Sequence, residues 1–195
     1  MISINPLQVF LWTFRRKESD VVNLYNSLSP LMQLATDNNM LNFGYWKNNP
    51  TDPIEAQNEL CKLIGKIVDL GSAGTVLDVG SGFSAPAVYW KSQYQNIDVM
   101  CINTNFQQLV LSTKLAGNNV SDLKKNSQSL LQTNDISFVN ATSTVLPISD
   151  NSVDRIIALE SAQHFRPLTQ FVRESKRVLK NNGQSLANLS QNRVW

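Results

Sequence analysis

The stretch TVLDVGSGFSAPA, from Thr75 to Ala87, constrains the fold of this chain more than any other segment. Its first five residues are apolar or β-branched apart from one acid, a pattern that predicts a buried parallel strand. Gly80 and Gly82 follow directly, and because they lack a Cβ the backbone can bend sharply and let a ligand approach closely. Pro86 suits a first helical turn, where an N–H would be unpaired anyway. The segment therefore predicts a strand, a ligand-binding turn and a helix.

Two kinds of ligand are compatible with this turn. Gly80-x-Gly82-x-x-Ala85 satisfies the dinucleotide fingerprint, in which an acidic residue about 20 positions later holds the ribose. Asp78 supports a second interpretation, because a carboxylate buried in an apolar strand is costly unless it is hydrogen-bonded or faces a cation. S-adenosylmethionine is such a cationic ligand, since it carries an ammonium group and a sulfonium.

The run LDVGSGFS resembles the first motif of class I S-adenosylmethionine-dependent methyltransferases, with Ser84 at the last small position of their GxGxG turn. The resemblance implies an α/β fold, a Rossmann-like, doubly wound and mostly parallel sheet of about five strands with N-terminal helices. Ligands of such sheets collect at the carboxyl ends of the strands. It also implies that the cofactor, S-adenosyl-L-methionine, is held through its methionine moiety by Asp78, Gly80, Ser81 and Gly82.

The second predicted strand, 97–102, is followed by polar residues that suit a ribose. The run CINTNFQQ is similar to the GINIS-x-x-Q pattern of the sterol and natural-product (type 11-like) branch, which implies that Asn103, Thr104 and Gln108 contact the cofactor. A dinucleotide-binding protein or a typical methyltransferase would place Asp or Glu at Asn103 to accept hydrogen bonds from two ribose hydroxyls, whereas an amide accepts one hydrogen bond and donates one. This substitution counts against NAD, and an NAD-binding Rossmann protein is kept as a further alternative.

A third strand is predicted at 136–139, after a polar stretch, 118–135, that predicts a helix end and a surface loop. In the same resemblance the residues that follow this strand, Asn140 and Ala141, lie beside the adenine. Asn140 stands where Asp is usual, so the adenine contacts differ from the common family pattern.

The fourth predicted strand, 155–159, ends in the run ESAQHF. A lone histidine after a strand is more often structural than catalytic, but the carboxyl end of this strand is where a transferable methyl group would lie. The run ALESAQHF resembles the E-S-x-x-H element of the same branch, which implies cofactor contact by Glu160 and catalysis by His164, as a base or by orienting the substrate. Proton abstraction near neutral pH suits an imidazole.

The N-terminal part predicts helices and a segment that covers the cofactor, with a helical pattern in 19–35 that is interrupted at Pro30. The run MLNFGYW resembles the segment before the core of small-molecule and sterol-type methyltransferases, which implies that Tyr25, Tyr45 and Trp46 line the cofactor or substrate pocket. On composition alone, such aromatics would be anchors that pin a loop to the core. We therefore predict a covering helical segment, 1–70, and a cofactor-binding core, 71–195, within one structural domain.

Composition and charge disfavour several function classes. The net charge is +2 and no dense basic stripe accompanies the aromatic residues, so no nucleic-acid partner is predicted. The apolar run within 6–17 is too short to span a bilayer and predicts a docked helix, with interfacial membrane contact as the lesser alternative. Cys61 and Cys101 lack metal-ligand spacing and predict buried thiols in a reducing cytoplasm, and the single His164 cannot build a zinc site.

The C-terminal segment departs from the family pattern. RVLKNNG resembles the RVLKPGG that precedes the fifth strand, which is predicted at 184–190, but the family continues with a further helix and two strands. We therefore expect a chain that lacks the C-terminal part of the fold and self-associates through an exposed sheet edge. The predicted function is methyl transfer to a small-molecule or lipid-like acceptor. A catalytically weak or inactive cofactor-binding module, or a truncated relic, is the alternative.

Overall fold

The computed structural model describes residues 17–47, 49–116, 130–133 and 136–188. The helices are α1 (Glu18–Thr36), α2 (Pro53–Ile67), α3 (Ala85–Gln93), α4 (Phe106–Leu115) and α5 (Leu168–Val178). The strands are β1 (Thr75–Val79), β2 (Asp98–Asn103), β3 (Leu130–Thr133), β4 (Ile136–Asn140), β5 (Val153–Leu159) and β6 (Leu179–Asn188). Short 3₁₀ turns lie at Leu70–Ser72 and Ala162–His164.

The described strands form a sheet in the order β3-β4-β2-β1-β5-β6. β1 pairs in parallel with β2 and β5, β2 pairs in parallel with β4, and β5 pairs in parallel with β6. These five strands confirm the predicted Rossmann-like, mostly parallel sheet. Because successive parallel strands are joined by crossovers, their carboxyl ends meet at one edge of the sheet, where ligands bind in such folds.

The sheet has one more strand than predicted. β3 runs antiparallel to β4 and lies within 118–135, where the sequence predicts only a helix end and a loop. That prediction is wrong at Leu130–Thr133, because four residues in a polar stretch leave no alternation long enough to indicate a strand. At the other edge lies β6, which pairs with β5 among the described strands. Self-association through that edge stays a prediction.

Successive side chains of β1 point into two apolar cores, one on each face of the sheet. Val76 packs in the core that contains Trp90 of α3, whereas Leu77 packs in the core that contains Phe171 of α5. Asp78 is two positions after Val76, so its side chain points to the same face of the sheet and into the first core. The acid that distinguishes this strand is thus placed behind the glycine turn and inside the protein.

The two N-terminal helices precede the sheet. α1 runs continuously from Glu18 to Thr36 with Pro30 inside it, so the predicted interruption is wrong. Proline removes its own N–H from the ladder, and here the helix continues past that single loss. α2 begins as its sequence indicates, since Asp52 caps it by accepting a hydrogen bond from the amide of Glu55 at 2.8 Å.

Candidate functional site

A cavity lies at the carboxyl ends of β1, β2, β4 and β5, bordered by α1 and by the segment after it. The predicted site residues in its wall are Tyr25, Gly80, Ser81, Gly82, Asn103, Thr104, Gln108, Ala141, Glu160 and His164. The fold therefore brings residues from both N-terminal and C-terminal thirds of the described chain to one place. Asp78, Asn140, Tyr45 and Trp46 do not line the cavity.

The glycine turn has the backbone conformation that its sequence indicates. Gly80 has φ +75° and Gly82 has φ +56°, in the left-handed region that glycine adopts without a steric cost. The amides of Gly80 and Ser81 donate to the carbonyl of Ile102, at 2.8 and 3.1 Å, which fixes the turn to β2. A Cβ added at Gly80 would lie 2.5 Å from the Cβ of Ser161, so no larger residue fits there without a shift.

Asp78 lies directly behind this turn and is almost fully buried, with 2 % of its surface exposed. Its Oδ2 has no hydrogen-bond partner among the described residues. Burial raises the pKa of Asp78 to about 7, because the charged form loses its hydration there. Burial also raises the pKa of the free Cys61 and Cys101 thiols, and the neighbouring Asp78 carboxyl adds to the increase.

Asn103, the residue expected at the ribose, is held by three hydrogen bonds. Its Nδ2 donates to the carbonyl of Gly82 and to Oε1 of Gln108, both at 3.0 Å, and its Oδ1 accepts from the amide of Asn105 at 3.1 Å. Both amide hydrogens are therefore used within the protein. The Oδ1 atom keeps a second acceptor position, which is what one ribose hydroxyl requires.

The same polar group connects β2 to α1. Gln108 donates from Nε2 to the hydroxyl of Ser29 at 2.9 Å, and Asn105 donates from Nδ2 to Oδ1 of Asn26 at 2.8 Å. Ser29 is buried, so its hydrogen bond is shielded from water. These contacts hold α1 against the carboxyl end of β2, where it forms one wall of the cavity.

Of the two residues after β4 that are expected at the adenine, Ala141 lines the cavity and Asn140 does not. Asn140 donates from Nδ2 to the carbonyls of Asn103 and Thr104, at 2.8 and 3.0 Å, and stays outside the cavity wall. Ala141 lines the cavity together with Ser143. A contact between Asn140 and adenine stays a prediction, while its amide serves to join two loops.

Glu160 closes the side of the cavity next to β5. Its backbone has φ +49°, and its Oε2 accepts a hydrogen bond from the amide of Phe43 at 3.0 Å. Burial raises the pKa of Glu160, and the hydrogen bond from Phe43 opposes that rise. The segment after α1 is thus attached to the end of β5 through a carboxylate that also faces the cavity.

His164 and Tyr25 meet in the cavity wall. The Tyr25 hydroxyl lies 3.1 Å from Nε2 of His164, and the two rings pack edge to face with centroids 5.5 Å apart. The side-chain amide of Gln163 lies 3.4 Å from the same nitrogen. The imidazole is therefore oriented by neighbours from α1 and from its own 3₁₀ turn.

Tyr45 and Trp46 have anchoring contacts. Trp46 is 52 % exposed and donates from its indole N–H to the carbonyl of Phe43 at 2.8 Å. The amide of Tyr45 donates to the carbonyl of Ala56 at 2.8 Å, and its ring packs on the apolar core. A role for these two rings toward a ligand stays a prediction.

The sequence prediction missed several residues of the cavity wall, among them Ser161, Leu41 and Glu18. Ser161 donates its hydroxyl to the carbonyl of Val79 at 2.7 Å and packs on Gly80, and its place in the ESAQHF run was the available signal. Leu41 faces Gly82, where an added Cβ would lie 3.1 Å from its Cδ1. Glu18 lines the cavity from the first turn of α1, and no local pattern marks it.

The described residues contain neither a cluster of side chains suited to a metal ion nor a helix suited to crossing a membrane. Nowhere in 17–47, 49–116, 130–133 and 136–188 do three His, Cys, Asp or Glu side chains come together as a metal site would require. Within the same residues, every helix is too short or too polar to cross a bilayer.

A scan against protein families places residues 77–187 on the model of the methyltransferase domain, which is more than half of the chain. The chain belongs to this methyltransferase family. The matched range runs from β1 to β6 and contains the glycine turn, Asn103, Glu160 and His164. The expected family is thereby confirmed, and the cavity is the part of this methyltransferase domain where ten of the fourteen predicted site residues meet.

Two curated relatives carry methyltransferase names. The chain is 27 % identical over 173 residues to "Erythromycin 3''-O-methyltransferase" of Saccharopolyspora erythraea, with 89 % of this chain and 53 % of the relative covered. It is 31 % identical over 174 residues to "Methyltransferase GfsG" of Streptomyces halstedii, with 88 % and 56 % covered. The methyltransferase chain thus spans about half the length of the curated relatives it matches.

Solved structures support the fold. The [4+2]-cyclase SpnF superposes with a TM-score of 0.74 at 22 % sequence identity, over 88 % of this chain and 60 % of that one. Because the sequence identity is this low, the superposition shows that the two proteins share the fold and does not show that they share a reaction.

Proposed function

We propose that this methyltransferase domain binds S-adenosyl-L-methionine in the cavity and transfers its methyl group to a hydroxyl of a small natural product. One observation carries the proposal: the glycine turn, Glu160 and the oriented His164 all lie in the wall of one cavity. The turn comes from β1, whereas Glu160 and His164 follow β5, its parallel neighbour. A cofactor site and a proton acceptor are thereby adjacent.

The chemistry of the wall fits this cofactor. Gly80 and Gly82 present backbone without a Cβ, which allows the close approach that the methionine moiety needs. The Glu160 carboxylate faces the cavity and suits an ammonium group, and the spare acceptor position of Asn103 suits a ribose hydroxyl. Asp78 does not line the cavity, so a direct contact between its carboxyl group and the methionine moiety stays a prediction. When bound, the cofactor supplies a methyl group activated by a sulfonium.

His164 is proposed as the residue that accepts the proton of the acceptor hydroxyl. The Tyr25 hydroxyl lies 3.1 Å from Nε2 of His164 and holds the imidazole ring in place. When an acceptor enters the cavity, its hydroxyl takes the place of the Tyr25 hydroxyl at this nitrogen. An acceptor hydroxyl loses its proton when its oxygen is methylated, and the imidazole of His164 would accept that proton. The main contribution of the wall is to hold oxygen and methyl in near-attack geometry.

The acceptor class is proposed from the relatives. One of them is named for methylating an oxygen, 3''-O, of erythromycin. An oxygen acceptor agrees with a histidine at the cavity, because a hydroxyl must lose a proton during methylation. A lipid-like acceptor and a catalytically inactive cofactor-binding module are the remaining alternatives. The division into a covering segment, 1–70, and a core, 71–195, belongs to the same proposal.

The experiment is a product assay with a matched variant. The purified chain is incubated with S-adenosylmethionine and a panel of hydroxylated macrolides, and S-adenosylhomocysteine release is measured together with the mass of the macrolide. We expect release coupled to a mass gain of one methylene in at least one macrolide, and its loss in His164→Ala. Cofactor binding without release across the panel would contradict the proposed acceptor class.

A further inference from the structure

Glu18 is a carboxylate of the cavity wall that the proposed mechanism does not use. It lies in the first turn of α1 and accepts a hydrogen bond on Oε1 from the hydroxyl of Thr142, which follows β4. Among the described residues, none forms a hydrogen bond with its Oε2. One oxygen of Glu18 is thus fixed to the loop after β4, and the other is available to a ligand in the cavity.

Glu18 lies at the end of the cavity where we expect the purine of a bound cofactor. The carboxyl ends of β5, β1, β2 and β4 follow one another along the sheet edge. At about 4.8 Å per strand, three spacings span roughly 14 Å. With the methionine moiety near Glu160 after β5 and the ribose at Asn103 after β2, the purine lies at the end of β4. This placement rests on the proposed function.

That end of the cavity has the chemistry of a purine site without its usual acid. Ala141, which follows β4, and Val21 of α1 supply apolar surface to the cavity wall. Asn140, where the family commonly has Asp, has its amide donating to the carbonyls of Asn103 and Thr104. The exocyclic amine of adenine is a donor that needs an acceptor. Among the described wall residues, Glu18 and Glu160 are the carboxylates, and Glu160 lies at the opposite end.

We propose that Glu18 is the adenine-specificity residue of this site, and that its free carboxylate oxygen accepts a hydrogen bond from the exocyclic amine of the purine. α1 would then do more than cover the cofactor. It would read the base, in place of the acid that is absent after β4. The other possible role of Glu18 is to attach α1 to Thr142, and that role does not depend on which base is bound.

The test compares two ligands that differ only along this edge of the purine, at the exocyclic group and in the proton that hypoxanthine carries on N1. S-inosylhomocysteine carries a carbonyl oxygen where S-adenosylhomocysteine carries the amine. We expect the wild-type chain to bind the adenosyl ligand at least about tenfold more tightly, because the inosyl ligand would place one acceptor against another. Glu18→Gln keeps the bond to Thr142 through its amide oxygen and presents an NH₂ group to the ligand. Its preference is expected to fall to about one or to reverse.

Isothermal titration of both ligands into both chains separates the outcomes. A wild-type ratio near one overturns the role of Glu18 whether or not the variant folds. An unchanged ratio in folded Glu18→Gln also overturns it, while binding of S-adenosylhomocysteine leaves the proposed function intact. Absence of S-adenosylhomocysteine binding by the wild-type chain overturns the proposed function and this inference with it.

Discussion

The hydroxyl of Tyr25 lies 3.1 Å from Nε2 of His164, although 139 positions separate the two residues in the chain. Tyr25 belongs to α1 and His164 to the 3₁₀ turn after β5, so this contact joins the N-terminal helix to the carboxyl end of the sheet. A histidine with a fixed neighbour presents its nitrogen in one direction. The contact therefore orients the group that we propose as the proton acceptor.

Removal of either member is expected to reduce turnover more than cofactor binding. His164→Ala should lower turnover by roughly 10²-fold or more, the usual contribution of a general base, and Tyr25→Phe should lower it by less, since the imidazole stays but loses its orienting hydroxyl. Turnover is measured with saturating S-adenosylmethionine, and S-adenosylhomocysteine affinity is measured separately. Tyr94→Phe is the matched control, because Tyr94 lies outside the cavity wall and has no predicted role in the site. A loss of turnover explained wholly by weaker binding would return His164 to a structural role.

The buried carboxyl of Asp78 should make stability depend on pH in a defined direction. Folding raises its pKa from the ordinary 3.8 to about 7, so between these values the folded chain holds a proton that the unfolded chain has lost. The free energy of unfolding therefore falls as pH rises through this window and levels off above about 7. Asp78→Asn removes the titrating group and with it this part of the pH dependence.

Urea unfolding at pH 5 and pH 8 tests this expectation. Relative to Asp78→Asn, the wild-type chain should lose about 2 kcal/mol or more of stability between the two conditions, since each pH unit in the window is worth about 1.4 kcal/mol. Asp98→Asn is the control, because that side chain is exposed in β2. Parallel pH profiles for wild type and Asp78→Asn would contradict the assignment.

The side-chain amide of Asn103 supplies hydrogen bonds that a carboxylate could not supply. Replacing Asn103 by Asp should therefore lower the stability of the folded chain. Asn103→Asp would direct a carboxylate at the carbonyl of Gly82 and at Oε1 of Gln108, which now accept hydrogen bonds from Nδ2. One buried and one partly buried acceptor would lose their donor, so we expect destabilisation of about 2 kcal/mol. Thermal unfolding measures it, with Asn23→Asp on the exposed side of α1 as the control. Equal melting temperatures for both variants would show that the network is unimportant.

The local part of this site could be predicted from the sequence, and the long-range part could not. The strand, turn and helix around Gly80 follow from apolar periodicity and glycine positions, which act over a few residues. The contact of Glu18 with Thr142 crosses 124 positions and has no local pattern. The aromatic run around Gly44 indicated a covering segment, but composition cannot distinguish a ring that lines a cavity from one that anchors a loop.

Asn103 and Asn140 depart from the family pattern, and the hydrogen bonds of their side-chain amides give a physical reason for each departure. The amide at Asn103 suggested an altered ribose contact, and the structure shows why an acid would be unfavourable there, since Nδ2 donates twice. The amide at Asn140 suggested altered adenine contacts, and its Nδ2 is likewise used by backbone carbonyls. The partners of both amides are loop carbonyls or a distant side chain, which no periodicity indicates.

Titration of S-adenosylhomocysteine into the wild-type chain, Gly82→Ala and Gly71→Ala tests most directly whether the glycine turn holds the cofactor. Gly82 has φ +56° and an added Cβ would lie 3.1 Å from Leu41, whereas a Cβ at Gly71 would meet its nearest neighbour, Asp69, at 3.9 Å. We predict binding at one site per chain, weakened at least about tenfold by Gly82→Ala because a Cβ in the left-handed region displaces the turn, and unchanged by Gly71→Ala. No binding by the wild-type chain, or equal affinity in all three folded proteins, would contradict the assignment of this cavity to S-adenosylmethionine.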